Sequence, residues 1–370
     1  MTFFNGEKRH TTDINSSSAV TSDENSSRTQ GLQEDEAQEL QPESIDRPPG
    51  PDDGLPPSKI YEPLSFPVIT LLMPASVFGV LARLGLSALM NYPGHSIFPL
   101  AYAQAVGCLF MGLGLGMKEE IGQFYGPLYT ALTTGFCGSL TTFSSWQLQV
   151  FQAWINASQT KRGGFADFLD GVALSTITLS LSVASVVFGC RIGSLIASRL
   201  AEPRLLPPMA RYTLSTISIL IYAATYIIYF LLPSSFRHQA TAALLFSFPG
   251  TLTRYVLSTF LNRRIKALPL GTLTANTFGA ALLAVFRILQ STPSARSTNA
   301  CNVLQGLIDG YCGCLTTVST FAAELRDFRL TKAVRYAVVS WVLGQLMMVL
   351  IYGIPLWSGR VEKNPTCNFG

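Results

Sequence analysis

Charge is scarce in this sequence: 13% of its 370 residues are charged, about half the fraction of an ordinary soluble domain. Histidine is scarcer still, and His10, His95 and His238 all lie outside the long apolar runs. The runs therefore hold no imidazole to act as a general base or metal ligand, and no Cys/His spacing reads as a zinc site. An intramembrane enzyme is accordingly disfavoured, and we read the chain as a non-enzyme. Basic runs interleaved with aromatics are absent, which argues against nucleic acid as a partner. No cationic segment followed by an apolar run opens the chain, so a signal peptide is not expected. Cysteine numbers seven, and Cys108, Cys137, Cys190, Cys312 and Cys314 sit in apolar runs as small hydrophobes. No disulfide framework is expected.

What the chain has in quantity is apolar surface. Hydrophobic residues make up 48%, and mean hydropathy is +0.32 despite a polar start. Residues 1–58 carry Glu34, Asp35, Glu36, Glu39, Glu43, Asp46, Asp52 and Asp53 among Ser, Gln and Pro. That composition predicts a disordered acidic cytoplasmic tail. Beyond it, nine apolar stretches are long enough to cross a bilayer as helices: roughly 65–91, 97–117, 126–156, 165–199, 212–233, 238–262, 269–290, 300–326 and 330–357. The expected fold class is an all-α polytopic membrane protein whose principal solvent partner is the lipid bilayer. With the N-terminus inside, the inner loops hold twelve Lys and Arg and the outer segments seven. The positive-inside rule thus places the N-terminus in the cytoplasm and the C-terminus outside. Asn156-Ala157-Ser158, a glycosylation sequon, then falls on the outer side, close to the membrane.

The most informative feature is self-similarity. Gly79-Val80-Leu81-Ala82-Arg83 recurs as Gly250-Thr251-Leu252-Thr253-Arg254, and Gln104-x-x-Gly107 as Asn276-x-x-Gly279. The run from Gly135 to Ser145 (GFCGSLTTFSS) recurs from Gly310 to Thr320 (GYCGCLTTVST), in the same order along the chain. The organisation is a first four-helix repeat over 65–199, a linker transmembrane helix over 212–233, a second repeat over 238–357 and a C-terminal tail over 358–370. Because one span separates two sets of four, the second repeat is inverted relative to the first. Inverted repeats in membranes usually place a conduction or binding site at their interface.

Two glycines and a run of hydroxyl residues weaken each third motif as a helix. A broken helix with exposed carbonyls makes an oxygen site for a cation; the alternative is a small-residue packing face. Arg83 and Arg254 are expensive in lipid, so each caps a helix end, snorkels, or faces a wet vestibule. Asn276 is a buried amide, suited to a helix–helix hydrogen bond or to a pore. Ser175, Thr176, Thr178 and Ser180, with Ser340 in the last span, offer hydroxyl donors or bond their own helices.

Together these residues resemble the fluoride channels of the Fluc/CrcB family, in the fused form found as fluoride exporters in fungi and plants. The resemblance covers about Ser65 to Trp357. It implies a passive, selective fluoride channel at the plasma membrane, working as a single fused chain (a pseudo-dimer), with no organic cofactor. It implies a structural central Na⁺ on backbone carbonyls of Gly138, Thr141, Gly313 and Thr316. It also implies two flanking pores, each lined by one aromatic from either half. One pore has Phe143 with Phe321; with them the resemblance places Asn276, Ser340, Thr317, Ser319, Arg83, Arg254 and Glu324 as fluoride-pore residues. The other has Trp146 with Val318, and Gln104 where its counterpart has Asn276, which marks it as degenerate. The rival reading is a proton-coupled exporter of small drugs. That chemistry wants an acid within the spans, and Asp167, Asp170 and Asp309 do not recur at equivalent positions of both halves.

Overall fold

The computed structural model describes residues 43–90, 99–200, 205–231, 239–262, 268–292 and 297–367. The tail up to residue 42 and the basic residues Arg204, Arg237, Arg263, Arg264, Lys266 and Arg296 lie outside the described residues, as do the three histidines. Among the described residues every regular element is helical. In chain order the elements are α1 (Glu43–Asp46), α2 (Phe66–Leu89), α3 (Pro99–Gly116), α4 (Lys118–Thr130), α5 (Phe143–Trp154), α6 (Gly164–Ala197) and α7 (Pro208–Leu231). They continue as α8 (Gln239–Leu261), α9 (Leu270–Ser291), α10 (Thr298–Gly306), α11 (Ser319–Asp327) and α12 (Leu330–Met347).

Helices α2, α6, α7 and α9 and the segment Leu330–Trp357 are long and apolar enough to cross a membrane; α3 with the bent α4–α5 unit, turned by 106°, adds a sixth if counted as one span. The other expected spans are helical but fail that test for a physical reason. Helix α8 carries Ser247, Thr251, Arg254, Ser258 and Thr259, all buried. It is wrapped by protein, not lipid, so apolarity is not required of it. The α10–α11 unit is broken in the middle. By contrast, α7 turns Met209, Tyr212, Leu220, Ile227, Phe230 and Leu231 outward, the lipid-facing pattern of a linker span.

Both third motifs fold alike. A π-helical stretch, Ala131–Cys137 or Leu307–Cys312, widens the helix, and one α-turn follows, Gly138–Leu140 or Gly313–Leu315. The chain then goes extended, at Thr141 (φ −96°, ψ 149°) and at Thr316 (φ −95°, ψ 149°), before α5 and α11 resume. π-bulges concentrate at functional sites. Helices α3 and α6 pack closely through Gly112 and Gly116 against Gly189 and Gly193, where an added Cβ would strike the opposing backbone.

Two features depart from the composition-based expectation. Residues 43–58 do not run free. Ile45 and Asp46 are each 2% exposed, the Tyr129 hydroxyl donates to Ile45 O at 3.1 Å, and Lys118 pairs with Asp53 at 2.8 Å. A disulfide also joins Cys301, in α10, to Cys367 in the C-terminal tail. Neither is among the five cysteines read as small hydrophobes. The tail it anchors crosses to both halves: Glu362 N–H donates to Ser291 O at 2.8 Å, and Lys363 Nζ to Ile155 O at 3.0 Å. Cys301→Ser and Cys367→Ser are each expected to lower stability by about 2–4 kcal/mol, as for a bridge closing a long loop. The double variant should match either single one in thermal melting, because each alone already removes the whole bridge.

Candidate functional site

The two breaks meet and complete each other. Thr141 Oγ1 donates to Cys137 O at 3.0 Å and accepts the N–H of Ser319, in the other half, at 3.1 Å. Thr316 Oγ1 donates to Cys312 O at 3.0 Å and accepts the N–H of Ser144 at 3.1 Å. A hydroxyl has one donor and two acceptor positions, and here it closes its own helix end and caps the opposite helix start. Thr142 and Thr316 hydroxyls, and those of Thr141 and Thr317, also touch across the interface at 3.1 and 3.2 Å.

Asn276 and Gln104 occupy equivalent posts, and both clamp backbone. Asn276 Nδ2 donates to Thr317 O at 3.1 Å and its Oδ1 accepts from Thr317 N–H at 2.8 Å. Gln104 Nε2 donates to Thr142 O at 2.7 Å and its Oε1 accepts from Thr142 N–H at 3.1 Å. One turn further along each helix, Gly107 and Gly279 lie where a Cβ would collide with the methyl of Thr141 or Thr316. The Asn/Gln-x-x-Gly motif thus grips the break and lets the helix approach it.

These clamps also free oxygens. The N–H of Thr142, which a continuous helix would give to Gly138 O, goes to Gln104; that of Thr317, due to Gly313 O, goes to Asn276. The N–H of Ser145 and of Thr320, due to the carbonyls of Thr141 and Thr316, turn instead to the hydroxyls of Thr142 and Thr317. The four carbonyls singled out in the sequence are therefore those whose helical donors are diverted. Hard oxygens of this kind fit an alkali cation.

Both arginines are buried, at 3% and 0% exposure, and of the options open in the sequence each takes the capping one. Arg83 crosses to the second half, donating through Nη1 to Gly313 O at 2.9 Å and through Nη2 to Asp309 O. Arg254 donates through Nε to Cys314 O at 2.8 Å and through Nη2 to Thr134 O, in the first half, at 2.7 Å. Each guanidinium lies where a Cβ on the opposite motif glycine, Gly313 or Gly138, would sit. One lone pair of Gly313 O is thereby taken, leaving the second for another donor.

The aromatic pair is present. The rings of Phe143 and Phe321 face each other edge-on, centroids 5.9 Å apart at 80°. Behind Phe321 stands Tyr336, at 5.1 Å, whose hydroxyl donates to Glu324 Oε2 at 2.7 Å; Thr272 Oγ1 donates to Glu324 Oε1 at 2.6 Å. On the other side of Phe143, Gly344 lets α12 close onto both Phe143 and Gln147. There Gln345 Nε2 donates to Gln147 Oε1 at 2.8 Å, which leaves Gln147 Nε2 buried with no acceptor. Ser340 Oγ lies buried beside Tyr336, also without a hydrogen-bond partner of good geometry. Tyr336, Gln147 and Gln345 escaped the sequence reading, because none lies in a repeated motif; the polar residues Tyr336, Ser340 and Gln345 spaced along the last span were the signal for the last of them.

Trp146 differs from Phe321. It packs edge-on against Phe143 of its own half at 5.5 Å, its indole N–H donates to Leu174 O at 3.3 Å, and position 318 opposite is a valine. Serines and threonines of α6 mostly serve their own helix: Ser175 and Thr176 donate to carbonyls four residues back. The acids of the rival reading are engaged elsewhere. Arg162 holds Asp167 at 2.6 Å and Asp170 at 2.8 Å, at the start of α6, and these carboxylates push the Arg162 guanidinium pKa up. Asp309 Oδ2 accepts from Gln305. Asn156 locks its side-chain amide onto Thr160.

A family model described as CrcB-like protein, camphor resistance, matches residues 70–190 and again 241–353. The chain is 34% identical over 310 residues to fluoride export protein 1 of Schizosaccharomyces pombe, spanning 78% of this chain and 96% of that one. It is 32% identical over 318 residues to fluoride export protein 1 of Candida albicans, spanning 79% and 81%. A 77-residue stretch, 20% of this chain and 58% of its counterpart, is 44% identical to the fluoride-specific ion channel FluC of Escherichia coli. No solved structure matches. Two matched copies of one domain, the crossed arginines and the reciprocal threonine caps lead to one placement: the chain belongs to the CrcB family and carries its domain twice.

Proposed function

We propose that this protein is a passive, selective fluoride channel that lets F⁻ leave the cytoplasm through one conducting pore, giving fluoride resistance. The observation that carries this reading is the Phe143–Phe321 pair, flanked by Gln147 Nε2, a buried donor that no protein acceptor satisfies, with the Ser340 hydroxyl buried beside Tyr336. Fluoride holds water tightly, so its path has to offer hydrogen-bond donors and positive ring edges in exchange. Tyr336 and Glu324 line the approach on the side of Phe321, and Gln147 with Gln345 the side of Phe143. A negative-inside potential drives the anion outward by about 2.3 kcal/mol per 100 mV, so no coupled ion is needed.

The N-terminus is cytoplasmic and the C-terminus outside, at the plasma membrane. The Cys301–Cys367 bridge supports this orientation, since disulfides persist on the oxidising side of a membrane. The single fused chain supplies the pseudo-dimer. The carbonyls of Gly138, Thr141, Gly313 and Thr316 would hold a Na⁺, whose charge would draw the two breaks together. Gly313 O, which already accepts from Arg83, would offer that ion its remaining lone pair.

Fluoride efflux from proteoliposomes, with the voltage clamped by K⁺ and valinomycin, tests the reading. Voltage-driven fluoride loss without chloride loss is expected; no flux, or flux that requires a proton gradient, would sink it. In the same assay Gln147→Leu should slow efflux about tenfold, the loss of one donor being worth on the order of 1.4 kcal/mol. Gln147→Glu should slow it further, since an acid repels the anion.

A further inference from the structure

The N-terminal segment enters the site. Helix α1 rests against α8, α11 and the Ala131–Cys137 stretch, and there Asp46 is 2% exposed. Its Oδ1 accepts from Thr134 Oγ1 at 3.0 Å and from Thr320 Oγ1 at 3.4 Å, one hydroxyl from each repeat. Thr134 is also the residue whose carbonyl holds Arg254 Nη2. Of the acids, Asp46 acts most strongly on the Arg254 guanidinium, and it also acts on Glu324. Asp46 Oδ2 and Arg254 Nη1 are both buried without a hydrogen-bond partner.

A buried carboxylate is costly unless donors converge on it. Two hydroxyls from opposite halves, beside a guanidinium with a spare N–H, make a receptor for a small monovalent anion. Nothing about packing requires that its occupant be an acid. Thr320, one of the two hydroxyl donors, immediately precedes Phe321 in α11, and Ile45 belongs to the same buried apolar cluster as Phe321. The segment is held in register by Tyr129 on Ile45 O and by Thr134 on Asp46 O, and its following prolines, Pro48 and Pro49, are buried and stiff.

We infer that Thr134, Thr320 and Arg254 form an anion site at the inner mouth of the pore, and that Asp46 occupies it as a tethered competitor of the transported ion. The inference rests on the fluoride reading for the identity of that ion. A short tether gives an effective concentration in the millimolar range, so only millimolar fluoride displaces it. The channel is then throttled at low internal fluoride and released as fluoride accumulates.

The test compares wild-type protein with Asp46→Asn and Asp46→Ala in the clamped efflux assay across internal fluoride concentrations. Hydrogen–deuterium exchange of residues 43–49 is followed in parallel, with and without fluoride. Both variants should pass fluoride about tenfold faster at low concentration, with the difference vanishing at high concentration. In wild-type protein, fluoride should accelerate exchange in the segment. Variant flux equal to or below wild type at every concentration overturns the inference and makes the segment a brace. Exchange that ignores fluoride overturns it too. Absence of flux from all three proteins sinks the fluoride reading instead, and the exchange response still decides whether the anion site exists.

Discussion

Phe143→Ile and Phe321→Ile should each cut fluoride efflux on the order of 100-fold, equivalent to about 2.7 kcal/mol at the barrier. Each replaces a ring whose positive edge lies in the path by a branched alkyl group that offers the anion nothing. The two rings meet at 5.9 Å, one from either repeat, so neither can stand in for the other. Trp146→Ile is the control. Trp146 is as deeply buried, but its N–H is committed to Leu174 O and its ring to Phe143 of its own half. Its loss should destabilise the fold, in the range of large-to-small core changes, while reconstituted protein still conducts. Equal loss of flux in all three variants, normalised to folded protein, would remove the assignment of a single conducting pore.

Arg254→Met should be the most disruptive single change for folding. Two carbonyls, Cys314 O and Thr134 O, lose a charged donor in a fully buried setting; at about 1–3 kcal/mol for each unsatisfied group, the loss is roughly 2–6 kcal/mol. Arg83→Met loses the donors of Gly313 O and Asp309 O and should follow. Arg254→Lys tests geometry against charge, since an ammonium lacks the planar fork that spans two carbonyls. Detergent-extracted Arg254→Met is expected to run as aggregate in size-exclusion chromatography, with Arg254→Lys intermediate. A monodisperse Arg254→Met protein with unchanged melting temperature would show that the arginine is not a brace between the halves.

Much of this is legible in the sequence. The repeated GxLxR, N/QxxG and GxCGxLTTxS runs give two inverted halves, and the paired glycines and threonines locate both breaks. What those residues touch was less legible. A threonine that caps a helix in the other repeat looks, in one dimension, like a threonine weakening its own. Asn276 reads as a helix–helix hydrogen bond or a pore amide and Gln104 as its counterpart; that both clamp the backbone of a broken helix is visible only in the fold. Composition also misled at the ends. Residues 43–58 are acidic and proline-rich, yet two buried apolar side chains, Ile45 and Leu55, the Lys118–Asp53 pair and one acid with two hydroxyls waiting suffice to seat them. Cys301 and Cys367 lie 66 residues apart, and only the fold brings them together. Residues 238–262 and 300–326 read as bilayer spans in the sequence; both fold as helices, but neither is by itself long and apolar enough to cross, α8 being solvated by its neighbours.

The reciprocal threonine caps have a consequence for how the protein is made. Thr141 waits for Ser319, a partner 178 residues downstream, which at about 5–20 residues per second means roughly 9–36 s of synthesis. Throughout that interval the first repeat sits in the membrane with its break uncapped and its pairing face exposed. The nearest substitute partner is the same face on a neighbouring nascent chain. Polysome crowding at the translocon therefore sets up a competition between intrachain closure and swapped dimers, and the linker span settles it by delivering the second repeat, inverted, to the waiting face.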